Sequence, residues 1–322
     1  MGDSLSRMDA AVASPAPSVT TVPLSGSQWT IAAGEQRAVV VEVGGGVREY
    51  AAGGVEYLDS YAEDELCPGA AGQVMAPWPN RLRDGRYTFR GQEYQLPLSE
   101  PLRHNAIHGL TRWARWRAVQ VTGDAVTMEH ELVPQPGYPW PLLLRTTWSV
   151  GPDGLTAEHA VTNLGQRPCP FGLGVHPYLR IPGVCVDELR LRVPARSRLL
   201  LDGRLLPIGV ARVSDSYDFT SARPIGADLL DLAFGDLDRD EEGGSAVQLS
   251  TVDGRGVTVW ADAAFNWWQV FTGDTLSPVR RRRSVAIEPM TCPADGLRSA
   301  RHLVVLEPGQ TWSGRWGIRP GC

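Results

Sequence analysis

The sequence predicts an all-β fold built as one large domain. Three observations carry this expectation. Apolar and β-branched residues recur with a period of two along short runs, which turns one side of each run into a core. The runs stop at glycines, prolines or Asp-Gly pairs, whose backbone angles make tight turns. The 322 residues also include 35 glycines and 25 prolines, which punctuate the chain too often for long helices.

In chain order, residues 1–27 are rich in Ala, Ser, Pro and Thr and read as a disordered tail. They lack a basic start followed by a continuous apolar stretch, so they do not read as a signal peptide. Residues 30–43 carry β-branched and apolar side chains and end at Gly44-Gly45-Gly46. Residues 86–89 and 94–96 alternate aromatic and polar types around Gly91, the pattern of a hairpin. Residues 116–121 and 126–132 flank Thr122-Gly123-Asp124, and residues 142–150 and 155–161 flank Gly151-Pro152-Asp153-Gly154. Leu189, Leu191 and Val193 alternate with Arg190 and Arg192. Residues 247–251 and 257–260 flank Asp253-Gly254, and residues 302–306 and 312–318 flank Glu307-Pro308-Gly309. Residues 227–234 alone suggest a short helix. No linker divides the chain, so residues 28–320 read as one domain.

Composition narrows the function classes. Hydrophobic residues make up 43% of the chain, enough for a substantial core. A net charge of −5 argues against a nucleic-acid or anionic-membrane partner. No run is long and apolar enough to span a bilayer. The chain has no lysine, which excludes a lysine Schiff base, a pyridoxal phosphate aldimine and a phosphate-loop lysine. Cys67, Cys169, Cys185, Cys292 and Cys322 are widely spaced with no CxxC pair. That pattern speaks against a thiolate zinc site and fits idle thiols in a reducing cytoplasm.

Four segments hold candidate chemistry. Arg81 follows the loop Pro77-Trp78-Pro79-Asn80, where a guanidinium can fork onto a hydroxyl pair or close a surface loop. His104 and His108 lie four apart, yet Gly109 and the strand-like sequence beyond it oppose a metal-binding helix face. His176 follows Gly172-Leu173-Gly174, which lets the backbone approach another group, and Pro177 biases the histidine toward an extended conformation. Glu288 ends the apolar strand Val285-Ala286-Ile287 before Pro289, where a carboxylate can enter a cleft or simply face solvent. Outside these segments, Arg280 to Arg283 resemble a phosphate patch, although a solvated loop fits them better. Of the eleven tryptophans, Trp113, Trp116, Trp140, Trp267 and Trp268 suit sugar stacking and a β core equally.

Taken in order, Asn80-Arg81, then Gly85-x-Tyr87-x-Phe89-x-Gly91, His108-Gly109, Gly174-x-His176-Pro177-Tyr178 and Glu288-Pro289-Met290-Thr291 resemble the aldose 1-epimerase (galactose mutarotase) family. The likeness is to the bacterial branch with HPY and EPMT motifs, over about residues 30–318. It implies a β-supersandwich with an open cleft, His176 as general acid and Glu288 as general base. It also implies Arg81 and His108 as substrate-binding residues, and Asp231 as a sugar-hydroxyl ligand, with Asp228 and Asp236 as nearby alternatives. Gln269 sits where related sequences carry a glutamine near the cleft. The chain departs from the family at Pro293-Ala294-Asp295-Gly296-Leu297, which borders the cleft, and at Leu179, where Phe is common.

The resemblance implies interconversion of α and β hexopyranose anomers by acid/base ring opening, with acid and base meeting across one ring. No cofactor or metal is required, a small-molecule sugar is the partner, and the location is cytoplasmic. The sequence does not specify the oligomeric state. One alternative is a hexose-6-phosphate 1-epimerase that grips phosphate through Arg280 to Arg283. Another is a non-catalytic carbohydrate-binding protein, which would have no use for the His176 and Glu288 pair.

Overall fold

The computed structural model of the chain describes residues 23–321. The expected tail therefore lies mostly outside the described residues, as does Cys322. Residues 23–27 are tied to the body: the Leu24 N–H donates to the Glu63 carbonyl at 3.0 Å, and Ser25 is buried.

Two large sheets dominate, and every strand pair among the described residues is antiparallel. The first has nine strands. Arg117–Val121, Ala125–Leu132, Leu142–Gly151 and Gly154–Asn163 run as a meander from one edge. Thr311–Pro320 comes next, then Gly256–Ala261, Ser245–Ser250, Arg190–Arg192 and Arg223–Pro224. Thr311–Pro320, the last strand in chain order, therefore lies in the middle of this sheet. The second sheet runs Pro207–Arg212, Ala195–Leu201, Asp231–Leu237, Trp267–Phe271, Val285–Met290, Gly174–Val175 and Val74–Met75, with Tyr178–Leu179 also paired to Val285–Met290. A four-stranded meander, Gln28–Ala33, Gln36–Val41, Val47–Ala52 and Val55–Glu56, covers part of the nine-stranded sheet.

One continuous apolar cluster joins these sheets. From the second sheet it takes Leu232, Phe234, Trp268, Val270, Val285 and Ile287, and from the first Leu144, Trp148, Ala157, Val247 and Val259. The Trp268 indole N–H crosses to the Ser245 hydroxyl at 3.2 Å, so the large ring is buried without stranding its donor. Of the other tryptophans singled out, Trp116, Trp140 and Trp267 are buried, while Trp113 is exposed. Three of the described cysteines, Cys67, Cys169 and Cys292, are buried thiols, and Cys185 is exposed. Among the described residues no helix is long and apolar enough to cross a membrane.

The all-β expectation holds, with four local corrections. Residues 30–43 are not one run, because a turn at Gly34 folds them into the hairpin Gln28–Ala33 and Gln36–Val41. Residues 302–306 and 312–318 do not pair with each other: Val304–Leu306 pairs with Cys169–Phe171, and Thr311–Pro320 with Gly154–Asn163. Residues 227–234 do not form a helix. Asp231–Leu237 is a strand between Ala195–Leu201 and Trp267–Phe271, where two flanking ladders outweigh local helix propensity. Finally, Val285–Met290 runs straight through Glu288 and Pro289 instead of ending there.

Candidate active site

The second sheet has two unlike faces, and its period-two alternation sorts them. Leu232, Phe234, Trp268, Val270 and Ile287 point into the shared core. The intervening positions, Asp231, Gln269 and Glu288, line up on the opposite face through the pairings Ala233↔Gln269 and Gln269↔Glu288. His176 joins them by register. Gly174 pairs with Met290 and Tyr178 with Ala286, which brings His176 opposite Glu288. Gly174 is required there, because a Cβ would come within 2.7 Å of Pro79 Cβ. The missing side chain lets this strand press against the loop that delivers Arg81.

His176 Nε2 lies 3.2 Å from Glu288 Oε1, and both side chains are buried. They touch directly, so a ligand does not fit between them and could reach both only from one side. Burial drives the His176 pKa down to about 3, and the Arg112 and Arg81 charges push the same way. Burial drives the Glu288 pKa well up, and Asp231 adds to this while Arg81 opposes it. Burial thus favours the neutral forms of both partners, an imidazole and a protonated carboxyl, over an ion pair. His176 Nδ1 and Glu288 Oε2 are buried with no hydrogen-bond partner among the described residues. Unmet polar atoms of this kind cost about 1–3 kcal/mol each, and they concentrate at functional sites.

Two loops build the rim. Asn80 and His108 both hold left-handed backbone angles and exchange bonds. The His108 N–H donates to the Asn80 carbonyl at 3.0 Å, and the Asn80 N–H to His108 Nδ1 at 3.3 Å. With Nδ1 accepting, the neutral ring carries its proton on Nε2. The His108 and His176 rings meet edge-on, 5.5 Å apart. Gly109 lets this turn close, since a Cβ there would lie 2.1 Å from the Ala76 carbonyl oxygen. Arg81 opens the short strand Arg81–Arg83, paired with Asn105–Ile107. Its Nε donates to both Glu100 oxygens, at 3.2 and 3.1 Å, and its Nη1 lies 3.5 Å from Asp231 Oδ2. Gln269 donates to Asp231 Oδ1 at 2.6 Å. Burial raises the Asp231 pKa against the opposing pull of Arg81 and Gln269. Glu100 goes the other way: burial alone would raise its pKa, but bonds from Arg81 and Asn105 bring it below the usual range.

The structure thus brings His176, Glu288, Arg81, His108 and Asp231 around one hollow of about 220 Å³. A larger hollow of about 730 Å³, lined by Arg83, Asp84, Tyr87 and Tyr94 among others, contains none of these five. Asp228 pairs with Arg223, and neither Asp228 nor Asp236 lines the hollow. His104 faces outward and bonds Asp84, so it does not join His108. Among the described residues no cluster of His, Cys, Asp and Glu has the makings of a metal site. At 280–283 three of the four arginines hold carboxylates, and Arg281 is exposed. Arg280 pairs with Glu65, Arg282 with Asp187 and Asp274, and Arg283 with Asp59. The divergent segment at 293–297 braces the rim: Asp295 Oδ1 accepts from the Arg83 N–H, and the Asp295 N–H donates to the Arg81 carbonyl at 2.6 Å. Sequence reasoning missed Glu100, Arg103 and Arg112, which also line the hollow. Arg112 stood three residues beyond Gly109, inside a segment already singled out.

A family model described as aldose 1-epimerase matches residues 27–319. The chain belongs to the aldose 1-epimerase family. An uncharacterized Escherichia coli K12 protein, YihR, is 33% identical over 298 residues, covering 92% of this chain and 94% of its own length. Galactose mutarotase of Rattus norvegicus is 26% identical over 180 residues, 53% of this chain and 50% of its own. Among solved structures, a GalM/aldose epimerase homologue from C. elegans superposes with a TM-score of 0.80 at 16% identity, covering 92% and 99% of the two chains. A putative aldose 1-epimerase from E. coli K12 gives 0.78 at 19% identity, with 91% and 98% covered. The fold is therefore the galactose mutarotase-like β-supersandwich. Family membership supports the coarse function, epimerisation of a carbohydrate, with a small-molecule sugar as substrate.

Proposed function

We propose that the protein is a mutarotase that interconverts the α and β anomers of a hexopyranose at the His176–Glu288 pair. The observation that carries this reading is the direct contact of an imidazole and a carboxyl at 3.2 Å on the floor of a sugar-sized hollow. The two oxygens on the anomeric carbon are separated by that carbon alone, so neighbouring groups on one side can serve both.

Moving one proton from Glu288 to His176 makes a carboxylate and an imidazolium without changing the total proton count. The carboxylate takes the proton of O1 while His176 Nε2 gives its proton to the ring oxygen. The bond from C1 to the ring oxygen breaks and an aldehyde forms. The pair is now a protonated carboxyl and a neutral imidazole, the form that burial favours. Rotation about C1–C2 turns the aldehyde. His176 then takes the hydroxyl proton back as the oxygen closes on C1, and Glu288 returns a proton to the carbonyl oxygen. The dry floor thus favours the same neutral pair before and after ring opening, and the charged pair exists only in passing. Arg81, His108 and Asp231 orient the hydroxyls, and the Arg81–Glu100 bonds hold that guanidinium in place.

Purified protein added to freshly dissolved α-D-glucose or α-D-galactose should accelerate the decay of optical rotation. Glu288→Gln and His176→Asn should each slow this at least ~10²-fold with the fold intact. Unchanged rates in both variants would falsify the assignment.

A further inference from the structure

Among the described residues, Arg112 is a cation without an acceptor. It lines the hollow and is half-buried, and its Nε is inaccessible and bonds none of them. Its position is built rather than incidental. Its backbone carbonyl accepts from the buried Gln73 side chain at 2.6 Å, and its guanidinium lies over the Trp113 ring, 4.9 Å from the centroid. The groups that act on it from inside the protein are neutral. The Cys67 thiol is pushed up to about 11 by burial, and burial also holds the Tyr178 phenol in its protonated form. The carboxylates of the hollow are engaged elsewhere: Glu100 bonds Arg81 and Arg103, and Asp231 bonds Gln269 and Arg81. With Glu288 held toward its neutral form, Arg81, Arg103 and Arg112 face only Glu100 and Asp231, which leaves one positive charge over. A cation withdrawn from water is ordinarily paired, and this one lines the hollow.

Charge is also spread unevenly over the hollow. Arg81 acts on Glu288, His176 and His108, whereas Arg112 acts on His176 and His108. In the proposed chemistry His176 serves the ring oxygen, and the exocyclic carbon lies on the neighbouring ring atom.

We propose that Arg112 receives an anionic group on that exocyclic carbon, so the preferred substrate is a charged sugar, a uronate or a sugar phosphate, rather than a neutral hexose. This deepens the epimerase reading and rests on it. A planar fork suits both carboxylate and phosphate, and a charge-assisted bond there separates charged from neutral sugars by about 10–100-fold.

The test measures anomer exchange by NMR for D-glucose, D-glucuronate and D-glucose 6-phosphate with the full chain. At least one charged sugar should exceed glucose in kcat/KM by about 10-fold or more, and which of the two does so identifies carboxylate or phosphate. Arg112→Gln should shrink that ratio chiefly through KM, and Arg112→Lys should restore part of it. Equal or better turnover of glucose in the parent protein overturns the inference, as does an equal loss for all three sugars in Arg112→Gln, and both results leave the epimerase reading standing. No exchange with any of the three overturns that reading, and the inference with it.

Discussion

Two histidines are buried alike and bonded unlike. His159 lies in the nine-stranded sheet and His176 on the floor of the hollow, and burial pulls each down to about 3. His159 is complete. Its Nδ1 bonds the Thr146 hydroxyl at 2.9 Å, and its Nε2 accepts the Trp316 indole N–H at 3.0 Å. His176 has one nitrogen against a carboxyl and the other against nothing. A depressed pKa therefore does not distinguish scaffold from chemistry here. What distinguishes them is whether the surroundings finish the ring's hydrogen bonds or leave them open beside a second proton carrier.

The largest expected effect is on rate. His176→Asn should lower anomer exchange at least ~10²-fold, while His159→Gln should leave kcat within about 3-fold, since it touches no reacting group. Comparable losses in both variants would break the distinction.

The next is on stability. The folded pKa of His159 lies below its unfolded value, so the folded state refuses a proton that the unfolded state accepts. Its destabilising effect is absent above the unfolded pKa and grows as pH falls from there toward about 3. Between pH 7 and pH 5 this amounts to about 2 kcal/mol. Urea melts of His159→Gln should lose that share of the pH dependence, and a slope identical to the parent's would place the titration elsewhere.

A smaller effect is expected at the rim. Asp231→Asn removes the Arg81 ion pair and should raise KM about 10-fold with less change in kcat. The smallest concerns the open bonds themselves. Glu288→Gln keeps the shape and the neutral form that burial favours and should leave stability within about 1 kcal/mol of the parent's, while slowing turnover at least ~10²-fold. A clear loss of stability would mean that Glu288 is a structural group.

Much of this was legible in the sequence. Glycines gave away the turns, and the family resemblance carried by His108-Gly109 and His176-Pro177-Tyr178 pointed to residues that line one hollow. The alternation Asp231, Leu232, Ala233, Phe234 was legible too, but it fits a short helix as readily as a strand until two neighbouring strands claim it. The direct contact of His176 with Glu288 was not legible, because it depends on a register between distant segments. Nor was the fate of Arg280 to Arg283, whose carboxylate partners Glu65, Asp59 and Asp187 lie far back in the chain. Local sequence shows a charge but not what cancels it.

Thr311–Pro320 lies between Gly154–Asn163 and Gly256–Ala261. A ribosome makes it after both neighbours, so the nascent chain carries two long open strand edges until residue 311 and beyond have emerged. Those edges offer the same unpaired N–H and C=O rows that drive aggregation. A chain interrupted before residue 311 therefore keeps a sticky, half-zipped sheet.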